Sequence, residues 1–176
     1  MYDIAIIGAG PAGATLARLI AKTHKVLLIN KRTPDADAKC CGGLLAPDAQ
    51  EMLATLGLGL PKTVLSEPQL FVVRAIDLSG RIEQYYQRHY INIDRLKFDA
   101  WLVSLIPGNV DIRNRCAFQK YEPDGAGLKV QFTQGNRIFT EQARIIIGAD
   151  GAGSLVRRQA FPDAPLPKTY TAIQER

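Results

Sequence analysis

No stretch of this 176-residue chain is both long and apolar enough to span a bilayer, since no apolar run approaches the roughly 18 residues that a spanning helix requires. Nothing resembling a signal peptide precedes Tyr2, so the expectation is a cytoplasmic protein, at most peripheral to a membrane. Cysteine is scarce. The three present (Cys40, Cys41, Cys116) are odd in number and lack C-x-x-C spacing, which argues against a disulfide framework and against zinc and suits a reducing compartment. The two histidines, His24 and His89, stand far apart without ligand partners and are expected at the surface, with no metal site. Charge is plentiful, with 22 Lys and Arg against 17 Asp and Glu. The basic residues are scattered, however, and no aromatics interleave with them, so nucleic acid is not an expected partner. A hydrophobic content of 47% supports one good core, meaning one domain or one and a fraction.

The strongest pattern stands at the start of the chain. Ile4-Ala5-Ile6-Ile7 reads as a strand buried on both faces, and Gly8, Gly10 and Gly13 complete G-x-G-x-x-G before a helical run through Ala14, Leu16, Ala17 and Ile20. In such a turn the first glycine permits the bend, the second lets a pyrophosphate approach the backbone, and the third lets helix and strand pack closely. The helix start, with Pro11 and Ala12, offers unpaired N–H groups and a positive dipole end to phosphate. A dinucleotide is the expected ligand.

A second strand, Val26-Leu27-Leu28-Ile29, ends at Asn30, about 20 residues after the glycines, where the fingerprint calls for an acid on the ribose hydroxyls. An asparagine can still accept a hydroxyl through its amide oxygen. On this reading Asn30→Asp is expected to tighten binding by about 1 kcal/mol through a charge-assisted bond. Lys31 and Arg32 follow. They suit a 2′-phosphate, as in NADP, the adenosine end of FAD, or simply a basic turn.

Lys39-Cys40-Cys41-Gly42-Gly43 has the composition of a loop, and it precedes a helix opening at Pro47 with a stop at Gly57. A thiol there is either activated or a small packed hydrophobe. Residues 66–92 read as an antiparallel hairpin turning at Ser79-Gly80, with Tyr85, Tyr86 and Tyr90 either in sheet packing or facing a ligand. Asp94 is the expected N-cap of a helix whose apolar face is Phe98, Trp101, Leu102 and Leu105. Arg95 lies in its first turn, where a cation is unfavourable unless an anion is near; phosphate contact and plain surface are both open. Val110-Asp111-Ile112 reads as a strand, and a small meander follows, ending near Thr140, with Cys116 in the core at its start. A separate buried strand, Ala143–Ile147, leads to Gly148-Ala149-Asp150-Gly151 and a helix starting near Ser154. Asp150 thereby stands at a strand's carboxyl end, where ligands bind in doubly wound sheets.

GAGPAG at Gly8–Gly13, Arg95 within IDRLKFDAWL, and GADGAGSLVRR at Gly148–Arg158 together resemble FAD-dependent flavoproteins of the hydroxylase-like fold. KCCGGLL looks most like the geranylgeranyl reductase branch, whose members carry a Lys-x-Cys-Gly-Gly loop near the flavin. The resemblance implies an α/β, Rossmann-like fold of the glutathione-reductase type, with a small antiparallel meander and part of a substrate-domain sheet. It divides the chain into an FAD-binding domain (1–65 and 93–162) and a partial substrate or cap domain (66–92 and 163–176), with Tyr170–Ile173 starting a substrate-domain strand. It implies FAD, with Gly8, Gly10, Pro11, Ala12 and Gly13 on the pyrophosphate, and Asn30, Lys31 and Arg32 near the adenosine. Arg95 and Asp150 would line the cofactor, the Ala117 backbone would meet the adenine, and Cys41, Gly42 and Gly43 would lie by the isoalloxazine. The implied reaction is reduction of carbon–carbon double bonds in a prenyl lipid by flavin hydride, with Cys41 rather than Cys40 serving the chemistry and NAD(P)H as donor. Two alternatives stand beside it: a flavin monooxygenase of a small or aromatic substrate, and a nucleotide-binding module without catalysis. The chain stops before the family's later Gly-Asp motif, so it is expected to be the N-terminal part of a longer protein and inactive alone.

Overall fold

A computed structural model describes residues 1–33 and 41–171. Cys40 and Lys39, named above, lie outside them. The chain divides into two compact units: Met1–Ala38 with Asp99–Ala172, and Lys39–Phe98 with Ile173–Arg176. The cuts fall at 38/39 and 98/99, so the unit holding the 66–92 hairpin also holds the glycine loop and the first turn of the Arg95 helix. The expected division instead set 66–92 and 163–176 apart from 1–65 and 93–162.

The first unit is built on β1 (Tyr2–Ile7), α1 (Pro11–Ile20), β2 (Val26–Asn30), β7 (Asp111–Asn114), β8 (Cys116–Asp124), β9 (Gly127–Gln134), β10 (Arg137–Gly148) and α4 (Leu155–Ala160). Its sheet runs β7-β2-β1-β10-β9-β8, and β7, β2, β1 and the second half of β10 are mutually parallel. The continuous apolar run of β1 follows from burial on both faces. Ile4 and Ile6 pack with Val26, Leu28, Ala17 and Val110, while Ala5 and Ile7 pack with Leu27, Ile29, Phe118, Val130 and Phe132 from the meander. Each large side chain so buried contributes about 2 kcal/mol.

The meander strand ending near Thr140 and the strand Ala143–Ile147, read as two elements, are one. β10 pairs antiparallel with β9 from Arg137 to Ala143, then parallel with β1 from Ala143 to Gly148. Ala143, fully buried, is where one layer hands over to the other. A tie crosses the sheet at the start of these strands: Tyr2 Oη donates to Asp111 Oδ2 (2.6 Å), and the Arg113 guanidinium grips the same carboxylate at 2.7 and 2.8 Å.

The second unit comprises β3 (Leu44–Leu45), α2 (Pro47–Thr55), β4 (Val72–Asp77), β5 (Ile82–Gln87), β6 (Ile91–Asn92) and the start of α3 (Arg95–Ser104). Leu45, Leu53, Val64, Ile93 and Phe98 are buried in it. Asp94 caps α3 as expected, accepting from the amides of Leu96 (3.0 Å) and Lys97 (3.2 Å). The β4–β5 hairpin forms a two-stranded sheet of its own. Its tyrosines do not pack within a core: Tyr85 is 65% exposed and bonded to Glu83, and the Arg88 guanidinium stands over the rings of Tyr86 (5.2 Å) and Tyr90 (5.5 Å). Tyr170 and Thr171 are not in a strand, and the rest of the strand expected there lies outside the described residues. Among the described residues, no helix is long and apolar enough to cross a membrane.

The Asp111 carboxyl is held below its ordinary pKa chiefly by the hydrogen bonds from Arg113 and then by Tyr2, against opposing burial. A carboxylate depressed in the folded state contributes stability above its unfolded pKa, and that stability disappears as pH falls through the folded value. Asp111→Asn should therefore be less stable than the parent at neutral pH. The two urea midpoints should converge below about pH 4, near the free carboxylate value. A difference that stays constant down to pH 3 would rule out this charge-linked role.

Candidate functional site

The parallel strands of the first unit all end along one edge, and each brings a different group to it. β7 delivers Asn114 and β2 delivers Asn30, which are register partners; β1 delivers Gly8 and β10 delivers Gly148-Ala149-Asp150. Gly8 N donates to Ile29 O and Ala149 N to Ile7 O, both at 2.8 Å, so the three central strand ends are knitted together. Gly8 adopts φ +104, and a Cβ on it would stand 2.4 Å from the carbonyl oxygen of Ala149. A Cβ on Gly13 would stand 1.9 Å from Gly8 O. Backbone therefore lies directly on backbone at both positions, as the first and third glycines of the motif require.

α1 begins at Pro11 after Gly10, which gives no side-chain cap, and its first turn holds no acidic residue. The first intrahelical bond runs from Ala14 N to Gly10 O (2.9 Å), so the amides of Ala12 and Gly13 precede it. The strand ends thus face the positive end of an uncapped helix over a turn in which Gly8 and Gly10 carry no side chain. This arrangement fits the pyrophosphate of a dinucleotide.

Asn30 is half-buried, and its Nδ2 donates to Arg32 O (2.6 Å) and to Asn114 Oδ1 (3.3 Å). Lys31 and Arg32 are exposed beside it. Asn114 escaped the sequence reading, although a polar residue closing a parallel strand was the signal available for it. Ala117, on β8, pairs with Thr133, and its carbonyl accepts from Gln119 Nε2 (3.3 Å) and Thr133 Oγ1 (3.5 Å).

Asp150 is beside the glycine turn through its backbone: its amide nitrogen would lie 3.1 Å from a Cβ on Gly8. Its carboxylate has other work. One oxygen accepts from Ser154 Oγ, and the other from the amides of Leu155 (2.7 Å) and Val156 (3.3 Å), fastening the start of α4. A largely apolar hollow of about 510 Å³ opens behind it, between β10 and α4, lined by Tyr121, Ile146, Val156 and Phe161 among others.

In the second unit, Cys41, Gly42 and Gly43 are brought to Arg95. Gly43 has φ +71, Ile93 N donates to Gly43 O (2.7 Å), and a Cβ on Gly43 would meet Ile93 O at 2.5 Å. Leu44-Leu45 then pairs with Ile91-Asn92. That clasp sets Arg95 Nη1 3.6 Å from Cys41 Sγ, within hydrogen-bonding distance of a sulfur acceptor. The sequence left phosphate contact open for Arg95; among the described residues, its guanidinium reaches the Cys41 thiol.

Residues 1–172 match the family model described as FAD binding domain. Protein CbrA of Escherichia coli (strain K12) is 41% identical over 177 residues, which cover 99% of this chain and 50% of that protein. The chain thus spans about half the length of the curated relatives it matches. A geranylgeranyl bacteriochlorophyll reductase-like protein from Thermoplasma acidophilum superposes with a TM-score of 0.73 at 23% identity, covering 86% of this chain and 40% of that one. The flavin-dependent monooxygenase PieE, solved with FAD and substrate, superposes with a TM-score of 0.73 at 21% identity, over 90% of this chain and 32% of that one. At these identities the likeness shows the fold.

The two roles open to Asp150 separate experimentally. If its carboxylate chiefly caps α4, Asp150→Ala should lower the stability of the flavin-free protein by about 1–2 kcal/mol. A variant as stable as the parent, measured by urea unfolding, would remove the capping role.

Proposed function

The chain belongs to the FAD binding domain family, and from that premise we propose that the whole protein is an oxidoreductase that reduces carbon–carbon double bonds of a prenyl lipid of the geranylgeranyl type. Bound FAD would supply the redox chemistry, with NAD(P)H as the proposed electron donor. Gly8, Gly10, Pro11, Ala12 and Gly13 hold the pyrophosphate, Asn30, Lys31 and Arg32 lie at the adenosine, and the backbones of Ala117 and Asp150 line the remainder. The observation that supports reduction most is the thiol of Cys41, set on a clasped glycine loop and contacted by Arg95 Nη1 at 3.6 Å. Saturating an unactivated alkene needs a proton on one of its carbons. Cys41 Sγ holds that proton, and Arg95 orients the sulfur. An isoprenoid substrate also suits contact with a membrane surface, which belongs to this proposal.

A second reading, a monooxygenase of a small or aromatic substrate, is supported by the likeness to PieE, equal in TM-score to the likeness to the reductase-like protein. The whole protein distinguishes the two. Reduced anaerobically with NAD(P)H, a reductase returns to the oxidised flavin spectrum when a geranylgeranyl lipid is added, whereas a monooxygenase turns over its substrate only with oxygen. Flavin bands without turnover in either assay would leave a binding module. Cys41→Ser should slow alkene reduction by about 100-fold, the usual scale for a lost proton-transfer group, with FAD content and flavin reduction unchanged. Gly10→Val should abolish FAD uptake. Full alkene reduction by Cys41→Ser would remove the thiol from the mechanism.

A further inference from the structure

We infer that Asn114 is a positioning residue that, together with Arg32 O, holds the Asn30 amide in one orientation, and that position 30 is thereby built for an amide rather than an acid. The inference rests on the proposal that Asn30 meets the adenosine ribose.

Arg32 O is a backbone carbonyl and can only accept. At 2.6 Å from the Asn30 side chain it must face the nitrogen, Nδ2, which decides which way round the amide lies. Nδ2 also stands 3.3 Å from the Asn114 side chain, so Asn114 must present its oxygen there. With its nitrogen held between two acceptors, Asn30 has its own acceptor, Oδ1, on the far side of the amide. A ribose hydroxyl needs an acceptor of this kind.

Asn114 is itself held. It pairs in register with Asn30 at the end of β7, and its carbonyl accepts from Cys116 Sγ (3.3 Å) and Gln134 Nε2 (3.3 Å). The next residue, Arg115, turns the chain into β8 with φ +57. The side chain that orients Asn30 therefore projects from a strand end fixed on both sides.

An aspartate at position 30 would lose the bond to Arg32 O, a backbone carbonyl that can only accept, and would oblige Asn114 to turn its amide and present Nδ2 in place of Oδ1. Leaving Arg32 O unpaired offsets what a charged acceptor gains at the ribose. The sequence-based expectation for Asn30→Asp is thus reversed: the variant should bind FAD more weakly.

The test uses the whole protein, stripped of flavin, with binding of FAD and of its 2′,3′-dideoxyadenosine analogue followed by flavin fluorescence. Asn114→Leu should weaken FAD about fivefold, the scale of one hydrogen bond, while binding of the analogue and the flavin-free melting temperature stay as in the parent. Asn114→Asp, which keeps an acceptor facing Nδ2, should restore FAD affinity. Asn30→Ala should weaken FAD at least as much, and adding Asn114→Leu to it should cost nothing further. Should Asn114→Leu not fold, the Asn30→Asp and Asn114→Asp variants carry the same test. A silent Asn30→Ala overturns the ribose reading itself. A costly Asn30→Ala with a silent Asn114→Leu leaves that reading standing and overturns the positioning role. Equal losses for FAD and the analogue would make Asn114 merely structural, and tighter FAD binding by Asn30→Asp would likewise overturn the inference.

Discussion

The contact on which the first unit depends is the one between residues 8 and 13, where no side chain fits. Gly8 O occupies the space of a Cβ on Gly13, and Ala149 O occupies that of a Cβ on Gly8. Three pieces of backbone, from the end of β1, the start of α1 and the end of β10, therefore meet with nothing between them. This packing aims the amides of α1 along the strand ends, and it brings the amide of Asp150 to the same turn. The phosphate-facing character of the edge follows from it, because helix direction and strand order are both fixed at that point.

Much of this was legible because the local pattern and the environment agree. β1 from Ile4 to Ile7 and β2 from Val26 to Ile29 are apolar and covered on both faces, so a contiguous run announced a central parallel strand. The reading failed at β10 for a physical reason. Its first half lies in the antiparallel meander with Ile138 exposed, so polar and apolar residues mix, while its second half enters the parallel layer and becomes Ile145-Ile146-Ile147. A change of layer inside one strand looks like a change of strand. Asn114 was missed for another reason. A polar residue closing a parallel strand was a signal of position only, and the register with Asn30, 84 positions away, is not written in the chain near residue 114.

Position alone also proved insufficient for Asp150 and Arg95. Both occur where a cofactor contact was expected, and both have a local partner. Asp150 stands within reach of Ser154 and the first amides of α4, and a carboxylate near uncapped N–H groups bonds to them. Arg95 opens α3, where the helix dipole disfavours a cation. Its side chain reaches back to Cys41 because the Gly43–Ile93 clasp holds the loop there. In each case the hydrogen-bonding geometry supplies a local partner that the sequence motif did not name.

The same distinction bears on the proposal that an asparagine serves where the fingerprint calls for an acid. A carboxylate gives a ribose hydroxyl a stronger, charge-assisted acceptor, but only where its surroundings donate to it. Among the described residues, Arg32 O faces position 30 as a fixed acceptor, and Asn114 presents its Oδ1 to the amide there. An amide meets two acceptors with its nitrogen and keeps an oxygen for the ligand side, which no carboxylate can do. On that proposal the neighbours of position 30, more than the fingerprint, decide which residue serves there.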